Sequence, residues 1–207
     1  MKYSDLDKYW QRLFELDYQA LCEKSRAIAA LIVDENGVII SEGRNHTGED
    51  DAPNPLVRHA ETECLRELDI HKNWNLHNYK MYCVLEPCPM CMGTLVMSHI
   101  RNVTIAAQDV HGGAMDLLEK SDFIKSKNIS VEWMPQIYGD IQRAFQTIKE
   151  LLYGKKEKLP SILEDFSVKN KAGVEAAKAL VEEGWFKDKE PKDYSVEQIF
   201  NAIAERI

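Results

Sequence analysis

Two short segments concentrate the metal-binding side chains of this chain, and any fold that it adopts has to bring them together. The first has the form His-x-Glu at 59–61, and the second the form Pro-Cys-x-x-Cys at 87–91. Together they supply one histidine, two cysteines and one carboxylate. A structural zinc site takes four protein ligands, whereas a catalytic zinc site keeps three and leaves the fourth position for water. The segments therefore predict a catalytic zinc site with a carboxylate beside it.

The predicted ligands of one zinc ion are His59, Cys88 and Cys91. Both cysteines follow Pro87 at the start of a predicted helix, where backbone N–H groups and the helix dipole favour thiolates. Within a regular helix the side chains of His59 and Glu61 would point about 200° apart. At the first turn of a helix, however, both can flank a metal ion. Glu61 would then lie beside the water and shuttle its proton.

The cysteine pair has two other interpretations. A lone Cys-x-x-Cys can be a redox pair of the thioredoxin type, although this leaves the His-x-Glu segment unexplained. A structural zinc site would need a fourth ligand, and no histidine has a spacing that singles it out. The candidates are His46, His71, His77, His99 and His111. The remaining cysteines, Cys22, Cys64 and Cys83, are predicted to be small buried side chains.

Composition and charge narrow the class of protein. The 207 residues are 44% hydrophobic and 29% charged, which is typical of a globular domain. The sequence has no run of about 18 apolar residues and begins with polar, acidic residues rather than a secretory signal. We therefore expect a cytoplasmic protein without a membrane span. The net charge of −8 disfavours nucleic acid as the main partner, although a local basic patch stays open.

Hydrophobic periodicity predicts alternating helices and strands. Helices are expected at 4–24 (with Ser4 as N-cap), 57–68, 89–98, within 111–125 and at 137–153. Strands are expected at 27–33, 38–41, 79–85, 102–107 and 129–134, with an Asn-Gly hairpin turn at 34–37. A helical crossover lets the fourth and fifth strands run parallel. The predicted fold is therefore α/β, a three-layer α/β/α domain with a mixed five-stranded sheet.

The C-terminal part of the chain has helical patterns of its own. We predict a main domain over 1–153 and a C-terminal helical extension over 154–207, with helices at 172–185 and 195–207. Ser195 and Gln198 have the spacing of a capping box. The extension is too small to bury a core by itself. It is therefore expected to dock on the main domain or on a partner subunit.

These motifs resemble those of the cytidine deaminase-like superfamily, within the branch of guanine deaminases, cytosine deaminases and tRNA wobble adenosine deaminases. The resemblance runs from about Ala27 to Tyr153 and is specific at 58–61 and 85–93, with 97–103 also similar. It implies the cytidine deaminase-like fold, one Zn²⁺ per chain and a homodimer. It also implies that His59, Cys88 and Cys91 bind this ion and that Glu61 shuttles protons.

The resemblance further implies a set of substrate contacts. Asn45 matches the position of an asparagine that hydrogen-bonds the substrate ring, with a turn-forming asparagine as the alternative. Backbone groups around Ala60 and Pro87 are expected to line the pocket. Asp109 resembles an acidic substrate contact of some guanine deaminases, and capping its own loop is the alternative.

The expected function is hydrolytic deamination of a small nucleobase or nucleoside at its exocyclic amino group, with a guanine-like purine favoured over cytosine. The alternative is a tRNA-specific adenosine deaminase, for which Gly154–Lys158, Arg143 and Lys149 would form a phosphate track. An ordinary solvated helix end is the other interpretation of these cations. A third hypothesis, an inactive interaction module, is disfavoured by the complete set of zinc ligands beside Glu61.

Overall fold

A five-stranded mixed sheet forms the centre of the protein. The computed structural model describes residues 1–50, 52–72 and 75–207. The strands are β1 (Ala29–Val33), β2 (Ile39–Arg44), β3 (Lys80–Leu85), β4 (Asn102–Ala107) and β5 (Ser130–Trp133), in the order β2-β1-β3-β4-β5. β1 runs antiparallel to β2 and β3, whereas β3, β4 and β5 run parallel. The predicted mixed sheet is confirmed.

Helices pack on the sheet to form the other layers. In the described residues they are α1 (Lys8–Cys22), α2 (Ala60–Glu67), α3 (Pro89–Met97), α4 (Leu117–Lys120), α5 (Asp122–Lys125), α6 (Gln136–Tyr153), α7 (Leu159–Glu182) and α8 (Val196–Ala204). α2 contacts α3, while α1 contacts α6 and α8. Every residue of β1 is buried, as expected for a strand that lies between two helical layers. The three-layer α/β prediction is therefore confirmed.

The hairpin that joins β1 to β2 has the predicted Asn-Gly turn. Gly37 has a φ of 77°, which a residue without a Cβ adopts without strain. The carboxylate of Asp34 accepts hydrogen bonds from the backbone N–H groups of Asn36 and Val38, at 2.9 and 2.8 Å. β2 then continues to Arg44, three residues beyond the predicted end at Ser41.

The structure corrects the predicted cap of α1 and the single helix expected within 111–125. Asp7, not Ser4, caps α1, because its Oδ1 accepts hydrogen bonds from the N–H groups of Tyr9 and Trp10, at 2.9 and 3.1 Å. Ser4 lies in a preceding 3₁₀ turn. The single helix expected within 111–125 is divided into α4 and α5 at Ser121, whose extended backbone ends one helix and whose side chain caps the next.

The C-terminal extension docks on the main part of the same chain. Val174, Leu180 and Phe200 are fully buried, and the ring of Phe200 lies edge-on to that of Phe14 in α1, with centroids 5.1 Å apart. The Ser195–Gln198 capping box is confirmed, because the N–H of Ser195 donates to Gln198 Oε1 at 2.8 Å and the N–H of Gln198 donates to Ser195 Oγ at 3.1 Å. Because α7 and α8 share one apolar core with α1 and α6, the division at residue 153 stays a prediction.

Among the described residues, no helix has both the length and the apolar character needed to span a membrane.

Replacing Phe200 with alanine tests whether the extension is part of the core. We expect the free energy of unfolding to fall by about 3–5 kcal/mol, because the change removes a buried ring and leaves a cavity. Phe123→Ala is the matched control, since that ring is 54% exposed. Urea denaturation measures both variants. Equal and small losses in both would contradict docking of the extension on the core.

Candidate active site

The two predicted metal-binding segments each lie at the beginning of a helix. His59 is the N-cap residue of α2, with extended backbone angles (φ −79°, ψ 153°). Cys88 is the N-cap residue of α3 (φ −71°, ψ 171°), and Cys91 lies in the first turn of that helix. Because His59 precedes the helical backbone, its side chain and that of Glu61 do not follow regular helical spacing. The two helix N-termini therefore meet at one place.

The three candidate ligand atoms are spaced as one tetrahedral zinc ion requires. His59 Nδ1 lies 3.5 Å from Cys88 Sγ and 3.6 Å from Cys91 Sγ, and the two sulfurs are 3.5 Å apart. Bond lengths of about 2.3 Å to sulfur and about 2.0 Å to nitrogen give tetrahedral edges of roughly 3.5–3.8 Å. The donor set and its spacing thus fit one zinc ion.

The electrostatics of the cysteine pair favour a thiolate. The hydrogen bond with Cys91, followed by that with His59, lowers the pKa of Cys88 to about 4. The contact with Cys88 and burial raise the pKa of the Cys91 thiol. The hydrogen bond to Cys88 raises the pKa of His59. The lowered pKa of Cys88 favours its thiolate, which is the form that binds zinc.

Glu61 lies beside this group. Its side chain is 4% exposed, and its Oε2 lies 3.3 Å from Cys91 Sγ. Burial raises the pKa of its carboxyl group. Over residues 1–50, 52–72 and 75–207, the metal-binding group consists of His59, Cys88 and Cys91, and none of the other histidines joins it. His46, for example, contacts Glu49 instead, at 3.0 Å.

The first half of the chain matches a known protein family. The match is to the cytidine and deoxycytidylate deaminase zinc-binding region and covers residues 4–107. The chain belongs to this family. It is accordingly a zinc-dependent hydrolytic deaminase with one zinc ion per chain as its cofactor, and the redox-pair interpretation of the cysteines is wrong.

Individual relatives are similar over most of their length. The tRNA-specific adenosine deaminase of Buchnera aphidicola subsp. Schizaphis graminum is 32% identical over 62% of this chain and 80% of its own. That of Bacillus subtilis is 29% identical over 65% of this chain and 83% of its own. Among solved structures, that of guanine deaminase from Bacillus subtilis matches 58% of this chain and 71% of its own. The two sequences are 24% identical there, and the TM-score is 0.43.

A cavity of about 200 Å³ adjoins the candidate zinc ligands of this deaminase, since His59 and Cys88 line it together with Glu61. α6 contributes Arg143, and α7 contributes Ile162, Asp165 and Phe166. The contribution of α7 was not predicted, because the sequence indicates a helix there only from residue 172 onwards. A larger apolar groove of about 960 Å³ lies along α2 and α3, and none of the candidate zinc ligands lines it.

The side chain of Asn45 stabilises a turn through its oxygen, while its amide nitrogen has no hydrogen-bond partner among the described residues. Its side chain is fully buried, and its Oδ1 accepts hydrogen bonds from the backbone N–H and the hydroxyl of Thr47, at 2.9 and 2.7 Å. Its Nδ2 is buried without a hydrogen-bond partner among the described residues. The turn interpretation accounts for the oxygen but not for the nitrogen. The predicted contact with a substrate ring would satisfy that donor.

Asp109 lines the cavity and also caps its own loop. Its Oδ1 accepts hydrogen bonds from the N–H groups of His111 and Gly112, at 3.2 and 3.1 Å, and lies 3.4 Å from Arg143 Nη2. Arg143 is 2% exposed, and its guanidinium also donates to the carbonyl of Gln108. The phosphate track predicted through Arg143 is therefore wrong, because this cation faces the interior rather than solvent.

The two predicted backbone contacts lie next to the zinc-binding residues in the chain. Ala60 is fully buried and begins α2. Pro87 is also buried, and its carbonyl accepts a hydrogen bond from the N–H of Ala114, at 3.0 Å. Contacts of a substrate with these backbone groups stay predictions.

Replacing Cys91 with serine tests the metal centre. We expect zinc affinity to fall by more than about 100-fold, because the effect of losing a ligand exceeds that of losing a supporting contact. Cys22→Ser is the control, since Cys22 lies outside the group. Zinc content after dialysis against buffered zinc measures the change. Wild-type zinc content in Cys91→Ser would contradict the assignment.

Proposed function

We propose that the chain deaminates a free nucleobase or nucleoside at its exocyclic amino group, with a guanine-like purine first and cytosine second. The observation that carries this proposal is the size of the cavity beside His59, Glu61 and Cys88. At about 200 Å³ it is smaller than the pockets that hold drug-sized ligands, which measure about 300–1,000 Å³. It suits one ring system better than a nucleic-acid strand.

In this proposal, His59, Cys88 and Cys91 hold the zinc ion and Glu61 carries the protons. Bound zinc lowers the pKa of water and so supplies a nucleophile near neutral pH. Glu61 would accept one proton of the water and donate it to a ring nitrogen. After the oxygen has bonded to the ring carbon, Glu61 would accept the second proton of that oxygen and pass it to the departing amine, which leaves as ammonia. The reaction consumes one water, replaces the amino group with a carbonyl oxygen and releases one ammonia. The burial of Glu61 beside Cys91 supports this role.

The charge around the cavity supports an uncharged substrate rich in hydrogen-bond donors. Its carboxylates are those of Glu61, Glu86, Asp109, Glu150 and Asp165, whereas its guanidinium groups are those of Arg26 and Arg143. This excess of acceptors would repel a phosphate and suits the N–H groups of a purine such as guanine. We propose Asp109 as one acceptor and Asn45 Nδ2 as a donor to the ring.

A tRNA adenosine is the second candidate substrate. Both tRNA-specific relatives are about 30% identical to this chain. In addition, Lys24, Arg26 and Lys149 line a separate cavity of about 270 Å³ that also reaches His59 and has no carboxylate in its described lining. Cations beside the centre would attract the phosphates of an RNA strand.

We also propose that the protein is a homodimer in the cytoplasm. The groove along α2 and α3 supports the dimer, because three apolar side chains beside it are strongly exposed. Val57 is 48% exposed, Ile70 56% and Met97 67%. Contiguous exposed apolar surface of this kind marks protein interfaces.

Ammonia release by the zinc-loaded protein tests the substrate. The panel contains guanine, adenine, cytosine, their nucleosides and an anticodon stem-loop with a wobble adenosine. We expect turnover of guanine or a related free base or nucleoside and none of the stem-loop. Turnover of the stem-loop alone would favour the second candidate. The absence of turnover throughout the panel would contradict both.

Replacing Glu61 with glutamine tests the proton carrier. We expect kcat to fall by at least about 10²–10⁴-fold, since the amide cannot accept and donate the proton, while zinc content stays unchanged. Glu67→Gln in the same helix is the control, because that side chain is 65% exposed. Steady-state kinetics on the accepted substrate measure both. Wild-type turnover by Glu61→Gln would refute the mechanism.

A further inference from the structure

The C-terminal extension reaches the zinc pocket through the first half of α7, residues 159–169. Ile162, Asp165 and Phe166 of this half line the pocket. Their spacing of three and four residues places them on one face of the helix. No residue of this half is fully buried, whereas the second half, from Lys171 to Glu182, contributes Val174, Ala177 and Leu180 to the core. The first half therefore serves the pocket rather than the core.

Phe166 and Asp165 hold this half of α7 against the residues beneath it. The ring of Phe166 lies over the guanidinium of Arg143, 4.5 Å from its carbon atom. Arg143 in turn contacts Asp109 at 3.4 Å. Asp165 Oδ2 lies 4.0 Å from Nδ1 of His111, which is in the loop after β4. The first half of α7 thus contacts two other walls of the pocket.

A break in α7 sets the direction of its first half. Asn170 has non-helical backbone angles (φ −128°, ψ 47°) and is 2% exposed. Its Nδ2 donates a hydrogen bond to Asp140 Oδ1, at 3.2 Å, and Gln136 Nε2 donates one to the carbonyl of Lys169, at 2.8 Å. Both partners belong to α6. Packing against α6 therefore fixes the position of residues 159–169 beside the pocket.

We propose that Phe166 and Ile162 form the wall that limits the size of the substrate. The inference rests on the proposed function for the reaction and adds the residues that select the substrate. Bulky apolar side chains discriminate by excluding groups that do not fit the remaining volume. A base ring fits the cavity of about 200 Å³, whereas the ribose of a nucleoside has to compete with Phe166 for space.

Two substitutions with opposite effects test this wall in the zinc-loaded protein. Phe166→Ala enlarges the pocket, and Ile162→Phe narrows it. Val168→Ala is the control, because Val168 lies in the same half of α7, is 58% exposed and does not line the pocket. The first measurement is the ratio of kcat/KM for guanosine to that for guanine. We expect Phe166→Ala to raise it at least about tenfold, Ile162→Phe to lower it, and Val168→Ala to leave it unchanged.

The second measurement does not depend on turnover. It compares the rates at which 1,10-phenanthroline and its bulkier 4,7-diphenyl derivative remove zinc from each variant. Phe166→Ala should raise the relative rate for the bulky chelator, and Ile162→Phe should lower it. Thermal denaturation checks that the variants are folded. If Phe166→Ala does not fold, the ratios measured for Ile162→Phe test the wall.

The possible outcomes test the proposed wall and the proposed reaction separately. If both ratios stay at the wild-type value in the two pocket variants, the wall is refuted. If the chelator ratio changes as expected while wild-type protein deaminates nothing in the panel, the proposed function fails and the wall stands. If Val168→Ala changes the ratios as much as Phe166→Ala does, the effect is not one of the pocket, and the wall is again refuted.

Discussion

The convergence of two helix N-termini on one point is the constraint on which the rest of the site depends. α2 and α3 contact each other, and each begins with a residue of extended backbone, His59 and Cys88. The strands that precede them, β2 and β3, flank β1 on either side. The sheet order therefore brings two candidate zinc ligands, His59 and Cys88, which are 29 residues apart in the sequence, to within 3.5 Å of each other. Without this order, the same residues would provide neither a zinc site nor a place for Glu61.

The extension couples stability to the shape of the pocket. The second half of α7 and α8 bury Val174, Leu180 and Phe200 in the core. This packing anchors α6 and α7 to each other, and the break at Asn170 then directs the first half of α7 to the zinc pocket. The extension thus has two physical roles. Its buried side chains contribute to the free energy of folding, and the first half of α7 forms the proposed wall of the pocket.

Local patterns predicted much of this structure, and long-range contacts decided the rest. β4 was predicted at its observed bounds, and the Asn-Gly turn and the Ser195 capping box were also predicted, because each depends on residues close in sequence. Spacing alone likewise identified the three zinc-binding candidates. Arg143 was assigned to a surface because periodicity does not show that Asp109 and Phe166 cover it. Residues 159–169 were missed for the same reason, since the apolar side chains of Ile162 and Phe166 face a pocket rather than a core.

In the proposed metal centre, three protein ligands hold one zinc ion and leave one position for solvent. X-ray absorption at the zinc edge of the purified protein measures the ligand atoms directly. We expect two sulfur atoms at about 2.3 Å and two nitrogen or oxygen atoms at about 2.0–2.1 Å, with one zinc per chain. One of the two light atoms belongs to His59 and the other to solvent. A shell of three or four sulfur atoms would rule out this coordination. So would a protein that retains no zinc after reconstitution with the metal.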